Sequence, residues 1–236
     1  MKLTKKKVFL IALAISLVAI LSMGTLAWFN ATSDITNDFM VATDENDTDP
    51  TFTVEVSETG LDGQPTTTGN KYYDVVPGDV IDKDPTITNT GDYTQWIRVS
   101  VTMTEADDWA ANGGSLKFTD IFAGSTYGLA ADVATSTATW LLVDETVTAD
   151  ATTGEAVWYL YLREELEAGD AVVLFEEVSI EEDFTLDEIM GFGGDFSITV
   201  HADALQRDNT GNTAVEAFDN VGWDAGDAFV DTDVVN

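Results

Sequence analysis

Carboxylates dominate the groups able to do chemistry in this sequence: 43 Asp and Glu stand against 10 Lys and Arg and one histidine, His201. Some adjoin, as at Glu164-Glu165, Glu176-Glu177 and Glu181-Glu182-Asp183. Neighbouring carboxylates can share acid–base work, but in so acidic a chain adjacency is what a solvated face produces. A catalytic zinc site needs two or three His, or His with Cys or carboxylate. His201 has no second His and sits in no His-Glu-x-x-His run. A Ser-His-Asp triad would have to use the same residue, and no Gly-x-Ser-x-Gly element is present. With no cysteine, thiolate catalysis, thiolate metal ligation and disulfides are excluded. The chain is therefore expected not to be an enzyme.

The hard-oxygen chemistry that remains suits calcium. Asp44, Asn46, Asp47 and Asp49 offer oxygen ligands at close intervals, although the glycine that an EF-hand needs at its sixth position is missing. A structural calcium ion is the one cofactor this loop suggests; its other reading is a hinge. Lysine is scarce beyond the first residues, at Lys71, Lys83 and Lys117. Lys83 lies between Asp82 and Asp84, so its plainest role is a surface ion pair.

These groups must be held by a scaffold, and composition bounds what that scaffold is. A formal charge of -33 repels phosphate backbones and anionic lipid, so no nucleic-acid partner is expected. Hydrophobic residues make up 44% of the 236-residue chain, enough to bury a core and offset chain entropy. Met1–Lys7 is basic, and Val8–Ala27 is an uncharged apolar run of about 30 Å if helical. Small residues at Gly24, Thr25 and Ala27 favour a signal peptide over residues 1–27, cut between Ala27 and Trp28, rather than a permanent anchor. Export follows, with membrane contact only through the uncleaved leader.

Beyond the leader the periodicity is two. Phe29, Ala31, Ile35, Phe39 and Val41 fall on odd positions and polar residues on even ones, which predicts a strand with one buried face. Further strands are expected at Thr51–Val56, Pro85–Thr88, Gln95–Met103, Thr139–Val143, Ala156–Leu162, Ala171–Ile180 and Phe196–Ala202, separated by turn signals such as PGD and NTGD. Short helices are expected at Glu105–Ala111, Leu186–Met190 and Thr213–Val221. The fold class read from this pattern is all-β: a jelly-roll-like antiparallel β-sandwich with a few short helices. The organisation is a strand at 28–43 ahead of one domain over 44–236. Such a first strand must pair within its own sheet or complete another molecule's sheet edge. Pattern alone leaves both open.

Three stretches resemble one family. The leader ending GTLAWFNATSDITNDFMVA is similar to the leader and first strand of the TasA/camelysin family. Val76-Pro77-Gly78-Asp79, followed by Lys83, Thr86–Gly91 and the strand from Trp96, resembles that family's hairpin and core strand. Ile198–Gln206 is similar to its late strand. The family comprises exported matrix-fibre proteins, including BsaA-like pilins, cut by a SipW-type signal peptidase. The resemblance implies a jelly-roll subunit of an extracellular fibre, pilus or biofilm matrix. It would polymerise head to tail with its own copies by donor-strand complementation through Trp28–Val41. It also implies Lys83 as a possible isopeptide residue between subunits. The metalloprotease activity carried by the camelysin name has no matching His pattern. The alternative reading is a monomeric secreted module binding calcium or glycans, with Trp109, Trp158 and Trp223 as contacts.

Subunits this acidic resist close approach until screened, and the screening length falls from about 8 Å at 0.15 M salt to about 3 Å at 1 M. Polymerisation of the mature chain, followed by light scattering, is therefore expected to accelerate as NaCl is raised.

Overall fold

A computed structural model describes residues 30–34, 37–38, 51–191, 196–208 and 210–222. The largest sheet has seven strands. At its centre lie β7 (Gln95–Met103), β11 (Ala156–Leu162) and β14 (Ile198–Gln206). One flank carries β10 (Trp140–Leu142) and then β9 (Tyr127–Leu129). The other carries β1 (Asn30–Asp34) and then β2 (Asn37–Asp38). The spatial order is β2-β1-β14-β7-β11-β10-β9. A four-stranded sheet is built from β12 (Ala171–Val173), β6 (Thr86–Asn89), β3 (Val54–Thr59) and β4 (Pro65–Thr66) in that order. A three-stranded sheet sets β13 (Glu177–Ser179) between β5 (Val80–Asp82) and β8 (Phe122–Ala123). The protein is an all-β sandwich, as the alternation predicts, with one departure from antiparallel pairing: β9 runs parallel to β10.

Alternation sets the two faces of the large sheet. Ile97, Val99, Val101 and Met103 of β7, Trp158 and Leu160 of β11, and Val200, Ala202 and Ala204 of β14 enter one core with Val54, Val56 and Ile87. That core lies between the large sheet and the smaller ones. Aromatic rings stack through it: Phe122 meets Phe175 at 4.6 Å and Trp158 edge-on at 5.7 Å. Three indoles in this core find acceptors, Trp140 donating to the Val173 carbonyl, Trp109 to that of Ser115 and Trp158 to that of Leu116, so burying these three leaves no orphan donor among them.

The outer face carries a second, smaller core of Trp96, Leu141, Tyr161, Leu205 and Phe218. It exists because α4 (Ala214–Asn220) lies over it. Thr213 caps that helix by accepting from the Glu216 amide, and the Glu216 carboxylate accepts from the Asn212 amide, a variant of the capping box displaced by one residue. Val215 and Val221 flank Phe218 against this cluster, so the apolar stripe of the expected Thr213–Val221 helix does pack inward. The other short helices are α1 (Ala106–Ala111), α2 (Phe118–Ile121) and α3 (Leu186–Gly191).

Two expected strands differ in form. Ala171–Ile180 is divided into β12 and β13 because Leu174 and Phe175 are both fully buried, which period-two alternation cannot achieve. The chain turns a corner there, leaving β6 as its partner and joining β5 and β8. Gly124 sits against this corner at φ +101°, and a Cβ on it would fall 2.5 Å from the Glu176 Cβ, so only glycine fits. The N-terminal run, within its described residues, folds back as β1 and β2, with Asp34 opposite Asn37.

Burial pushes the Tyr127 phenol well above its ordinary value near 10, and its hydroxyl donates to the Leu174 carbonyl. The unfolded phenol ionises first, so the native state holds its proton longer and stability falls as pH rises past about 10. Denaturant midpoints measured from neutral to strongly alkaline pH are expected to drop less steeply for Tyr127→Phe than for the parent chain.

Candidate functional site

The sheet edge next to β14 is where the first strand meets the body. Nine residues of β14 pair with β7, from Ile198 opposite Met103 to Gln206 opposite Gln95. On the other side only five find a partner, since β1 runs antiparallel from Asn30 opposite Leu205 to Asp34 opposite His201. Among the described residues, Ile198, Thr199 and Val200 have no strand on that side. Val200, Ala202, Ala204 and Leu205 are nonetheless fully buried, since the core lies on one side and α4 on the other.

Three polar side chains mark the outer face beside this edge. Arg98 of β7 lies opposite Asp203 of β14, and its Nη2 stands 3.1 Å from Asp203 Oδ2, with both side chains buried. The guanidinium sits 5.0 Å from the Phe218 ring centroid and 5.8 Å from that of Tyr159, a setting suited to its planar, weakly hydrated charge. His201 Nε2 is 3.3 Å from Asp203 Oδ1, and its side chain is 19% exposed. His201 thus lies mostly buried on the same face of β14 as Asp203, tied to the ion pair. The register puts Thr32 and Asp34 of β1 opposite Asp203 and His201.

Past the unpaired end of β14 opens a groove of about 640 Å³, lined by Tyr72, Tyr73, Ile81, Lys83, Phe196 and Ile198 among others. The stretch likened to a family hairpin forms a turn but no hairpin: Pro77 and Gly78 are the centre of a turn closed by the Asp79 amide on the Val76 carbonyl at 3.1 Å, while β5 beyond it pairs with β13 and β6 pairs with β3 and β12. Gly78 takes φ +81°, as a type II turn requires. Asn89 then ties the next connection together, donating to the Tyr93 and Leu166 carbonyls and accepting from the Gly91 amide. Tyr72 donates its hydroxyl to the Asp82 carbonyl.

Lys83 is not the surface residue its acidic neighbours suggest. Its Nζ pairs with Glu58 Oε2, and the two side chains are 8% and 0% exposed. Asp84 is engaged elsewhere, accepting from the Thr59 amide and hydroxyl. Sequence reasoning also misses the Arg98–Asp203 pair. Its only trace is one charged residue inside each of two otherwise uncharged strands, QWIRVSVTM and ITVHADALQ.

Of the other expected positions, Ala31 lies in β1, opposite Ala204. Ala27, Trp28, Phe29, Ile35, Phe39 and Val41, the calcium-type residues Asp44, Asn46, Asp47 and Asp49, and Trp223 lie outside the described residues. Trp109 and Trp158 are 1% and 0% exposed, so neither offers a surface to a glycan. Among the described residues no helix is long and apolar enough to cross a membrane, and no group of three or more His, Asp or Glu gathers in a metal-binding arrangement. No protein-family model matches the chain, and no curated protein or solved structure does either.

Removing one member of a buried ion pair strands the other charge, at a cost of about 3–5 kcal/mol, whereas replacing both by apolar groups can be nearly neutral. Asp203→Ala is therefore expected to lower the denaturant midpoint sharply. The double variant Arg98→Met with Asp203→Leu is expected to recover much of that loss.

Proposed function

We propose that the protein is an exported structural subunit of an extracellular fibre or biofilm matrix, polymerising by exchange of its first strand, as its resemblance to the TasA/camelysin family implies. The observation that carries this reading is the place of β1. It is the first described strand, it pairs with the body through five residues of one β14 edge, and it is followed by a reversal into β2. An equivalent strand from a neighbouring copy can make the same backbone hydrogen bonds in the same slot.

The register adds weight. Carried straight past Asp34, it would set residue 35 opposite Val200, residue 37 opposite Ile198 and residue 39 opposite Phe196, since each step along β1 moves one step back along β14. Odd positions then fall in the row of Val200, Ala202 and Ala204, which belongs to the core side. That is the row of Phe29, Ala31, Ile35, Phe39 and Val41. A strand whose pairing with β14 ends at Asp34 gives up the Ile198–Val200 edge and the groove beside Phe196; one donated by another copy can run on along them. Each large apolar side chain so buried contributes about 1.5–3 kcal/mol, offset by the cost of ordering the strand. On this reading the partners are further copies of the chain and, during export, a SipW-type signal peptidase. The role is structural rather than enzymatic.

The absence of native cysteine permits a direct test. Mature chains carrying only Ala31→Cys are mixed with chains carrying only Ala204→Cys and oxidised as they assemble. Exchange predicts a disulfide between unlike chains within fibres, and loss of fibres when residues 28–43 are deleted. A stable monomer at every concentration, with no such cross-link, would overturn the proposal.

A further inference from the structure

We propose that Lys83 and Glu58 form an intramolecular amide, a covalent tie inside one chain. The two residues are 25 positions apart and reach each other because β3, which ends beside Glu58, pairs with β6 just beyond Lys83, Ser57 lying opposite Thr86. Both are buried, and the Lys83 amide is fixed by the Glu176 carbonyl at 2.9 Å. The nucleophilic nitrogen and the carboxyl are thus held in contact in one geometry, which removes most of the entropic barrier to their reaction.

The environment favours condensation over a lasting ion pair. Glu58 Oε1 is buried and has no hydrogen-bond partner among the described residues, so the carboxylate's charge is only half compensated. Leaving a buried charge so poorly satisfied is costly. Forming the amide removes both charges at once. A proton passes from Nζ to the carboxylate, giving amine and acid. The nitrogen lone pair adds to Glu58 Cδ, the nitrogen gives up a second proton to the departing oxygen, and one water leaves. Atoms and charge balance within the pair, and no oxidant, nucleotide or metal is consumed. Lys83 also lines the groove, which gives that water a way out. At the same mouth the Tyr72 phenol is held above its ordinary value, by burial first and by the Glu58 charge next, so it stays protonated beside the reacting pair.

This tie differs from a link between subunits: a Lys83 consumed inside its own chain has no amine left to offer a neighbour. The reaction needs only the folded chain, so it does not depend on fibre formation.

Intact-mass measurement of the full chain under denaturing conditions decides the matter. The expected mass is one water below that of the sequence, with Lys83→Arg and Glu58→Ala at their full masses. A tryptic digest is expected to leave the chain uncut after Lys83 and to yield the peptide 8–71 joined to 72–98. An unmodified parent mass with normal cleavage after Lys83 would overturn the proposal. So would a water loss mapped to Asp62-Gly63, where a backbone succinimide gives the same mass. Poor folding of either variant leaves the result unaffected, because the parent chain's mass and digest already discriminate.

Discussion

The unpaired backbone of a strand edge is the constraint on which this architecture turns. β14 crosses the molecule between two apolar layers, the main core and the small one under α4, and almost every side chain along its second half is buried. Its amide and carbonyl groups on the far side from β7 therefore need a strand. β1, the first described strand, supplies one along five residues. A protein whose body needs a strand drawn from a terminus can be completed by any copy of that terminus. On the proposed reading, fold and assembly would draw on one set of hydrogen bonds.

Charge is arranged around the same requirement. Most carboxylates face water, and basic residues are too few to neutralise them. Even so, two of the scarce cations are spent in the interior, Arg98 on Asp203 and Lys83 on Glu58. The first fastens β7 to β14 beside the edge that receives β1. The second joins the ends of strands that lie next to the groove. Of the described surface cations, Lys117, Arg163 and Arg207 each lie against a nearby carboxylate, and Lys71 stands exposed at the groove. Each buried cation is matched by a buried carboxylate, so the exterior carries the same net charge as the whole chain, -33.

Strands with many turns of alternation were legible. Gln95–Met103 and Ala156–Leu162 occupy the positions their pattern predicts because each repeats the inward–outward step several times. β5, β8, β9 and α2 escape notice since two to four residues carry no period. The corner between β12 and β13 is hidden because its continuous apolar run looks like one buried strand until the partners on each side are known. On the proposed reading, the donor half of the site is visible in the sequence alternation of the odd-numbered apolar residues from Phe29 to Val41. The acceptor half is not, because which strand stands at an edge is a property of topology. The two buried ion pairs join residues 105 and 25 positions apart, and nothing local in the sequence matches one partner to the other.

The antiparallel seam between β1 and β14 also has a mechanical side. A strand laid lengthwise along its neighbour and tugged along its own axis loads all its cross-bonds together, in shear, instead of peeling them open one by one. With Arg98 riveting β14 to β7 directly behind that seam, tension arriving through the first strand would spread laterally across the central strands of the sheet. A thread made of such joints would resist stretching far better than its thin, five-residue overlap suggests.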